Sequence, residues 1–449
     1  MKKIFLSGLA VLFIVLKFAF IFSGIGVDDE SLYSIMARLV SQGLVPYRDF
    51  FFAHPPLALY ANAVILKLSG FGFAQSRILP FVCSVVFLFA FLRLFENNSE
   101  KIKALALLFT SMFFVQTSEF MFYSAMTAFS FLAVNFYLKK NYFTAGFFIG
   151  LSFLSRVFAF VPLLALLFLN FKNRKNFLKI LSGFLAVVIP VCIIFEAVSG
   201  NFIYSVFLYH STKPLLLNEI FLQSFFVVFL VRYLPFLVLG FPVLAGNIAG
   251  WKKLDEKQKL MNLWLCLGLI FIVFSRAWNT EAAINLYTVS IFLPFAFIIS
   301  KFRQYEKLTA VLLVFWFASS MHSLYTQAVF DSEAMAVFSE WHLITGNSRI
   351  MGPIPSMTLA NFPGKTVVPA YLDMDYSRFN AGHINAEQVK KALIENSADF
   401  VVVGGFNSQV YPWKEILDYC CVLNSTKKVF SGTELETVYS LYYVKNPML

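Results

Sequence analysis

Three consecutive acids, Asp28, Asp29 and Glu30, follow directly on a long apolar run at the start of the chain. A carboxylate held where a chain has just left a membrane can take a proton from a hydroxyl or an amine, the task of a general base. The same residues also suit the start of a helix, where the backbone dipole favours acids by roughly 0.3–1 kcal/mol each and Asp is a good cap. One acid is enough for capping, and three exceed it, so both uses stay open. Arginines offer the complementary charge. Arg156 lies between two short apolar runs and Arg232 within one. A guanidinium buried in a membrane is expensive unless paired, and its planar fork matches a phosphate. Snorkelling is the alternative for Arg156, and pairing with Glu196 for Arg232. "YSVFLYHSTKP" adds His210 and Lys213, and His54 precedes Pro55-Pro56; each histidine is either an anion or sugar ligand or a plain hydrogen-bonding residue. Arg48 and Arg77 are leaflet-surface anchors by default and phosphate ligands if they turn inward. Arg276 and Glu281 would pair with each other. Asp373-x-Asp375 forms Asp-x-Asp, a pattern short enough to recur by chance. No phosphate-binding glycine loop, serine elbow or zinc-helix motif is present.

The elements that must hold these residues are set by composition. Of 449 residues 59% are hydrophobic and only 14% charged, whereas soluble domains carry about 25% charge. Apolar runs able to cross about 30 Å of hydrocarbon number about eleven, near 4–27, 78–95, 104–118, 120–138, 142–155, 157–171, 178–198, 220–247, 260–275, 286–300 and 308–325. The basic N-terminus precedes an apolar run too long for a cleaved signal, which predicts a retained anchor. With that end inside, 18 Lys and Arg fall in inner loops and seven in outer ones, as the positive-inside rule requires. The net charge of +11 is therefore a matter of topology, and nucleic acid is excluded as a partner. Asp28, Asp29, Glu30, Asp49, Glu119, Glu219 and Glu281 all reach the outer side, so the chemistry is expected there.

Residues 1–325 form the predicted membrane domain. The first outer loop, 28–56, holds a helix over 29–42 whose Leu32, Ile35, Met36 and Leu39 share one face opposite Ser34, Arg38, Ser41 and Gln42. Such a helix is expected to lie on the outer leaflet. Residues 326–449 read as a small extracytoplasmic α/β domain, with a helix capped by Asn385, a buried strand over 400–403 and two further strands in "CCVLNSTKKVFSGTELETVYSLYYV". The adjacent Cys420 and Cys421 do not have the spacing of a disulfide pair.

Asp29-Glu30, Tyr33, Ala37, Gly43, Tyr47-Arg48-Asp49 and His54-Pro55-Pro56 together resemble the first outer loop of GT-C glycosyltransferases, above all the protein O-mannosyltransferase and lipid A aminoarabinose transferase group. The likeness continues through "GFFIGLSFLSRVFAFVPLLALL" at 146–167 and covers roughly residues 1–170. It implies a polytopic helical fold, a polyprenyl-phosphate sugar as donor, a lipid, glycan or protein as acceptor and an inverting displacement. Asp29 matches the catalytic base, with Glu30 beside it and Asp28 as cap; the extra acid leaves the assignment between Asp28 and Asp29 open by one residue. Glu119 falls where such enzymes often have a second acid, either to contact a sugar or acceptor or to cap a helix. Tyr47, Arg48, His54, Arg77, Arg156, His210, Lys213 and Arg232 are the candidate substrate ligands. No cofactor is required; metal-dependent relatives carry Asp-x-Asp in this loop, whereas here the acids are contiguous. The rival class is a transporter or flippase of lipid-linked sugars, which would spread polar residues across the bilayer midplane.

Overall fold

The computed structural model describes residues 2–23, 29–109, 111–209, 242–274, 292–301, 306–374, 378–379, 382–404, 413–429 and 437–445. The expected ligands Asp28, His210, Lys213 and Arg232 lie outside the described residues, as do Arg276, Glu281 and Asp375.

Among the described residues, three helical runs are long and apolar enough to cross a membrane: α1 (Lys2–Phe20), the run Phe73–Leu92 and the run Arg174–Ser199. Between α1 and the second run come α2 (Asp29–Ser41) and α3 (Leu57–Ser69). The 13-residue α3 is not among the expected apolar spans. After α4 (Ile78–Leu92), helices Asn98–Leu108 and Ser111–Gln116 lead to a break, and α5 (Tyr123–Leu138) and α6 (Tyr142–Ser155) follow. Arg156 is extended at the end of α6, and a single 3₁₀ turn, Val157–Ala159, reverses the chain.

The helix α7 (Arg174–Ser199) packs on α6 through glycine. A Cβ on Gly146 would meet the Ile180 carbonyl, and one on Gly183 would meet the Phe143 carbonyl. Small residues let the two backbones approach directly, the usual way helices associate where lipid is as apolar as their side chains.

The helix α8 (Glu306–Thr345) runs for 40 residues, about 60 Å at 1.5 Å per residue, and is continuous through position 326. Beyond it is a five-stranded sheet of β1 (Arg349–Ile350), β2 (Thr366–Val367), β3 (Phe400–Gly404), β4 (Cys421–Val429) and β5 (Thr437–Val444), in the order β2-β1-β3-β5-β4. The first three strands are parallel and the last two antiparallel to their neighbours. Helices α9 (Ile354–Ala360), α10 (Ala386–Glu395) and α11 (Trp413–Cys420) cover it. Asn385 caps α10 in a reciprocal box with Gln388, and all five residues of β3 are buried, as the alternation-free run Phe-Val-Val-Val predicts for a central strand.

The expected surface position of α2 is corrected. Ten of its 13 residues are buried, Ser31 and Ser34 on the polar face among them. The cause is α9, which lies on that face: Thr358 Oγ1 donates to Ser31 Oγ at 3.0 Å and Asn361 Nδ2 to the Ser31 carbonyl at 2.8 Å. Ser31 thus meets α9, and Ser34, which reads as part of a solvated face, is buried.

Candidate active site

Segment 117–122 joins the short helix Ser111–Gln116 to α5 and has irregular, buried backbone. Such backbone is tolerated at membrane depth only where its polar groups are satisfied. Four elements do this. From α1, the Lys17 ammonium donates to the Phe114 carbonyl, Thr117 Oγ1 and Ser118 Oγ at 2.6, 2.6 and 2.8 Å. From α4, Ser84 Oγ donates to the Thr117 carbonyl at 2.9 Å. Glu30 Oε1 on α2 accepts the Phe120 amide at 3.0 Å, and Arg156 Nη1 donates to the Met121 carbonyl at 2.7 Å. The segment ends at Phe122, whose φ of +67° is left-handed without a glycine's freedom, a strain of about 1–3 kcal/mol of the kind stored at functional sites.

Glu30 and Arg77 form a bidentate pair, Nε to Oε1 at 2.8 Å and Nη2 to Oε2 at 2.5 Å, with both side chains about 2% exposed. Arg77 Nη1 also donates to the carbonyls of Phe20 and Ser23 at 2.8 and 2.7 Å. Arg77 is thus neither a surface anchor nor turned toward a ligand: it ties the end of α1 to the start of α2.

Asp29 stands one residue before this clamp and half-buried. One turn on, the Tyr33 hydroxyl lies 3.3 Å from Asp29 Oδ2 and 2.7 Å from His54 Nε2. Both bonds are made together when His54 donates from Nε2 and the tyrosine O–H points at Asp29, which gives a continuous His54–Tyr33–Asp29 chain. Burial, and next the Asp29 charge, push the Tyr33 hydroxyl well above the usual tyrosine range, so it stays protonated. The charges of Arg156 and Asp373 and the hydroxyl of Tyr123 act on the same group.

Around this chain the first loop supplies a tight aromatic frame. Tyr47 donates from its hydroxyl to the His54 carbonyl at 2.6 Å and is itself left-handed at φ +69°. Phe122 lies tilted at 4.6 Å from the Tyr33 ring and packs edge-on to Phe52 and His54. Arg156 is buried, with its guanidinium 3.9 Å over the Tyr123 ring and its Nε without a hydrogen-bond partner. Arg48, by contrast, is half-exposed and pairs with Asp49, whose carboxyl it holds below the ordinary range. Glu119 is buried at the head of the irregular turn, near enough for its charge to act on Lys17. Glu196 accepts the Ile203 amide at 2.8 Å.

The structure therefore brings together Asp29, Tyr47, His54 and Arg156 of the expected set, places Glu30 with Arg77 and Glu119 with Lys17 in the supporting wall, and leaves Arg48 outside. Sequence reasoning missed Lys17, Tyr33 and Tyr123 as polar members of the site. A lysine inside an apolar run is the one signal that could have found the first of them. Among the described residues no cluster of His, Cys, Asp and Glu could hold a metal ion.

A bundle of apolar helices carrying a C-terminal α/β domain, with a buried acid and arginine cluster behind its first loop, defines a class of polytopic membrane protein. Comparison with known proteins narrows it. Residues 53–198 match the family model described as dolichyl-phosphate-mannose-protein mannosyltransferase. In overall fold the chain is similar to the crystal structure of ArnT from Cupriavidus metallidurans in the apo state, with 13% identity and a TM-score of 0.60 over 97% of this chain and 98% of that one. The same protein bound to undecaprenyl phosphate gives 12% identity and a TM-score of 0.56 over 98% and 97%. No curated protein sequence matches. The resemblance to GT-C glycosyltransferases of the protein O-mannosyltransferase and aminoarabinose transferase group, legible in the first loop, is what both comparisons return.

Proposed function

We propose that the chain is an integral-membrane glycosyltransferase that moves a sugar from a polyprenyl-phosphate donor to a hydroxyl or amine on a lipid, glycan or protein acceptor, at the extracytoplasmic face. The observation that carries this reading is the Asp29 carboxylate 3.3 Å from the Tyr33 hydroxyl, together with the buried Arg156 guanidinium over Tyr123, whose Nε has no hydrogen-bond partner. In the reaction Asp29 takes the acceptor proton as the acceptor atom attacks the anomeric carbon. The carbon–oxygen bond to phosphate breaks on the opposite side, which inverts the centre. The electron pair leaves with the lipid phosphate, whose charge Arg156 meets. The base contributes about 10²–10⁴ in rate. Tyr33 and His54 orient the Asp29 carboxylate, and no cofactor enters the scheme. The N-terminus is cytoplasmic, with about eleven spans and the α/β domain outside.

Five of the buried charged residues among those described, Lys17, Glu30, Arg77, Glu119 and Arg156, stand around residues 114–122, whereas Glu100 pairs with Lys301, and Lys365 and Lys390 belong to the C-terminal part of the chain. This gathering favours a reaction centre over a transporter's path across the midplane.

The test is turnover of a panel of undecaprenyl-phosphate sugars by the purified chain in lipid. Asp29→Asn is expected to lose at least 10²-fold in turnover while still binding undecaprenyl phosphate, and Arg156→Gln to weaken that binding. Equal turnover by wild type and Asp29→Asn returns the acids to helix capping and removes the mechanism.

A further inference from the structure

The two residues that follow Asp29 on α2 are held from different parts of the chain. Glu30 is fixed to Arg77 of the bundle. Ser31 is fixed from the C-terminal domain: Thr358 Oγ1 donates to its hydroxyl at 3.0 Å, and Asn361 Nδ2 to its carbonyl at 2.8 Å. Ser31, Thr358 and Asn361 are all buried, so water does not compete for these bonds. The donors are themselves well seated. On α9, Ser356 Oγ accepts from the Val402 amide and donates to the Val402 carbonyl, both at 2.8 Å, in the middle of β3. Asn361 Nδ2 also donates to the Met357 carbonyl at 2.8 Å, which sets the direction of its amide. Phe362, the next residue, has its ring 5.0 Å from His342 of α8 and 5.9 Å from Phe73 of the bundle.

The first turn of a helix is its weakest part, because its amides have no partner within the helix and its end opens at little cost. Asp29 opens α2, and its Oδ2 lies 3.3 Å from the hydroxyl of Tyr33 one turn on. That distance holds only while the turn stays wound. We propose that Thr358 and Asn361 are positioning residues of the transfer reaction, acting through Ser31 to keep the first turn of α2 wound and the Asp29 carboxylate aimed at the acceptor. This rests on the reading of Asp29 as the base given above. The C-terminal domain thereby sets the aim of a base that belongs to the membrane bundle. Neither residue meets the donor in this scheme, so their loss affects the chemical step and leaves lipid-phosphate binding as it was. A displacement of about 1 Å in a reacting group can cost about 10²-fold in rate.

The experiment measures kcat with an undecaprenyl-phosphate sugar that wild type turns over, and affinity for undecaprenyl phosphate, for Thr358→Val, Thr358→Ser and Asn361→Leu in nanodiscs. Each substitution is also placed in Asp29→Asn. Thr358→Val and Asn361→Leu keep the size of the side chain and remove the donor; each is expected to lower kcat about 10-fold with undecaprenyl phosphate affinity unchanged, and Thr358→Ser to restore it. In Asp29→Asn the same changes are expected to alter the residual turnover by less than about 2-fold, because groups that act as a unit do not add. Wild-type kcat in both Thr358→Val and Asn361→Leu overturns the proposal. So does a loss carried undiminished into Asp29→Asn, or matched by a loss of undecaprenyl phosphate affinity, since either marks a general structural role. Ser31→Ala, which removes the accepting hydroxyl from the α2 side, supplies the same comparison where Thr358→Val does not fold. Wild-type turnover in Asp29→Asn alone overturns the base reading, and this inference with it.

Discussion

Replacing Arg77 by Met tests whether the Glu30–Arg77 pair is the structural clamp that its geometry describes. Arg77 makes two charge-assisted bonds to Glu30 and donates to the carbonyls of Phe20 and Ser23, all in an environment where both side chains are about 2% exposed. Removing one partner of a buried pair costs about 3–5 kcal/mol, because the carboxylate left behind has neither water nor its counter-charge. Against a net stability of roughly 5–15 kcal/mol the loss is large. Glu30→Leu should cost a similar amount by stranding the guanidinium. The double variant Glu30→Leu/Arg77→Met leaves no buried charge and should recover much of the loss, since apolar replacement of a buried pair is often close to neutral. The assay is a double-mutant cycle on the midpoint of SDS-induced unfolding in mixed micelles. A coupling on the order of 2 kcal/mol is expected, within the range for directly interacting groups. Additive single effects, to within about 0.5 kcal/mol, would refute the clamp. Turnover surviving in the double variant would also separate Glu30 from the chemistry proposed for Asp29.

Lys17→Met removes the three bonds that the lysine makes to Phe114, Thr117 and Ser118. It should destabilise the chain by about 2–4 kcal/mol and lower turnover, measured as the melting midpoint and initial rate in one preparation; an unchanged rate would show that the segment does not set the site. Tyr33→Phe breaks the chain from His54 to Asp29 and should reduce turnover about 10-fold, read as kcat with undecaprenyl phosphate affinity retained. The same substitution changes alkaline stability. The Tyr33 hydroxyl is raised above its unfolded value near 10, so above that pH the unfolded chain loses the proton first. Its contribution is thus full below about pH 10 and is lost as pH climbs toward the folded value. Melting midpoints of wild type should therefore fall more steeply above pH 10 than those of Tyr33→Phe, and parallel curves would contradict the burial of that hydroxyl.

Periodicity and composition make local features readable. The amphipathic run at 29–42 marks α2, the Asn385 box marks the start of α10, and the unbroken apolar stretch at 400–403 marks the central strand, because each depends on neighbours within a turn or two. Whether a polar face meets water does not. Ser34 looks solvated in sequence yet is buried in the fold, and its neighbour Ser31 meets α9, more than 300 positions later. In the same way Arg77 reads as an anchor until the fold sets Glu30 against it.

The sequence by itself determined that the chain is a membrane protein, that its acids gather behind the first apolar run, and that the first loop resembles that of GT-C glycosyltransferases. These are matters of residue type and spacing along one stretch. The tertiary structure decided that Glu30 is neutralised by Arg77 while Asp29 meets the Tyr33 hydroxyl, and that Lys17 supports the irregular segment from the first helix. Charges act through space, and their effect depends on distances and burial that only packing of remote segments creates.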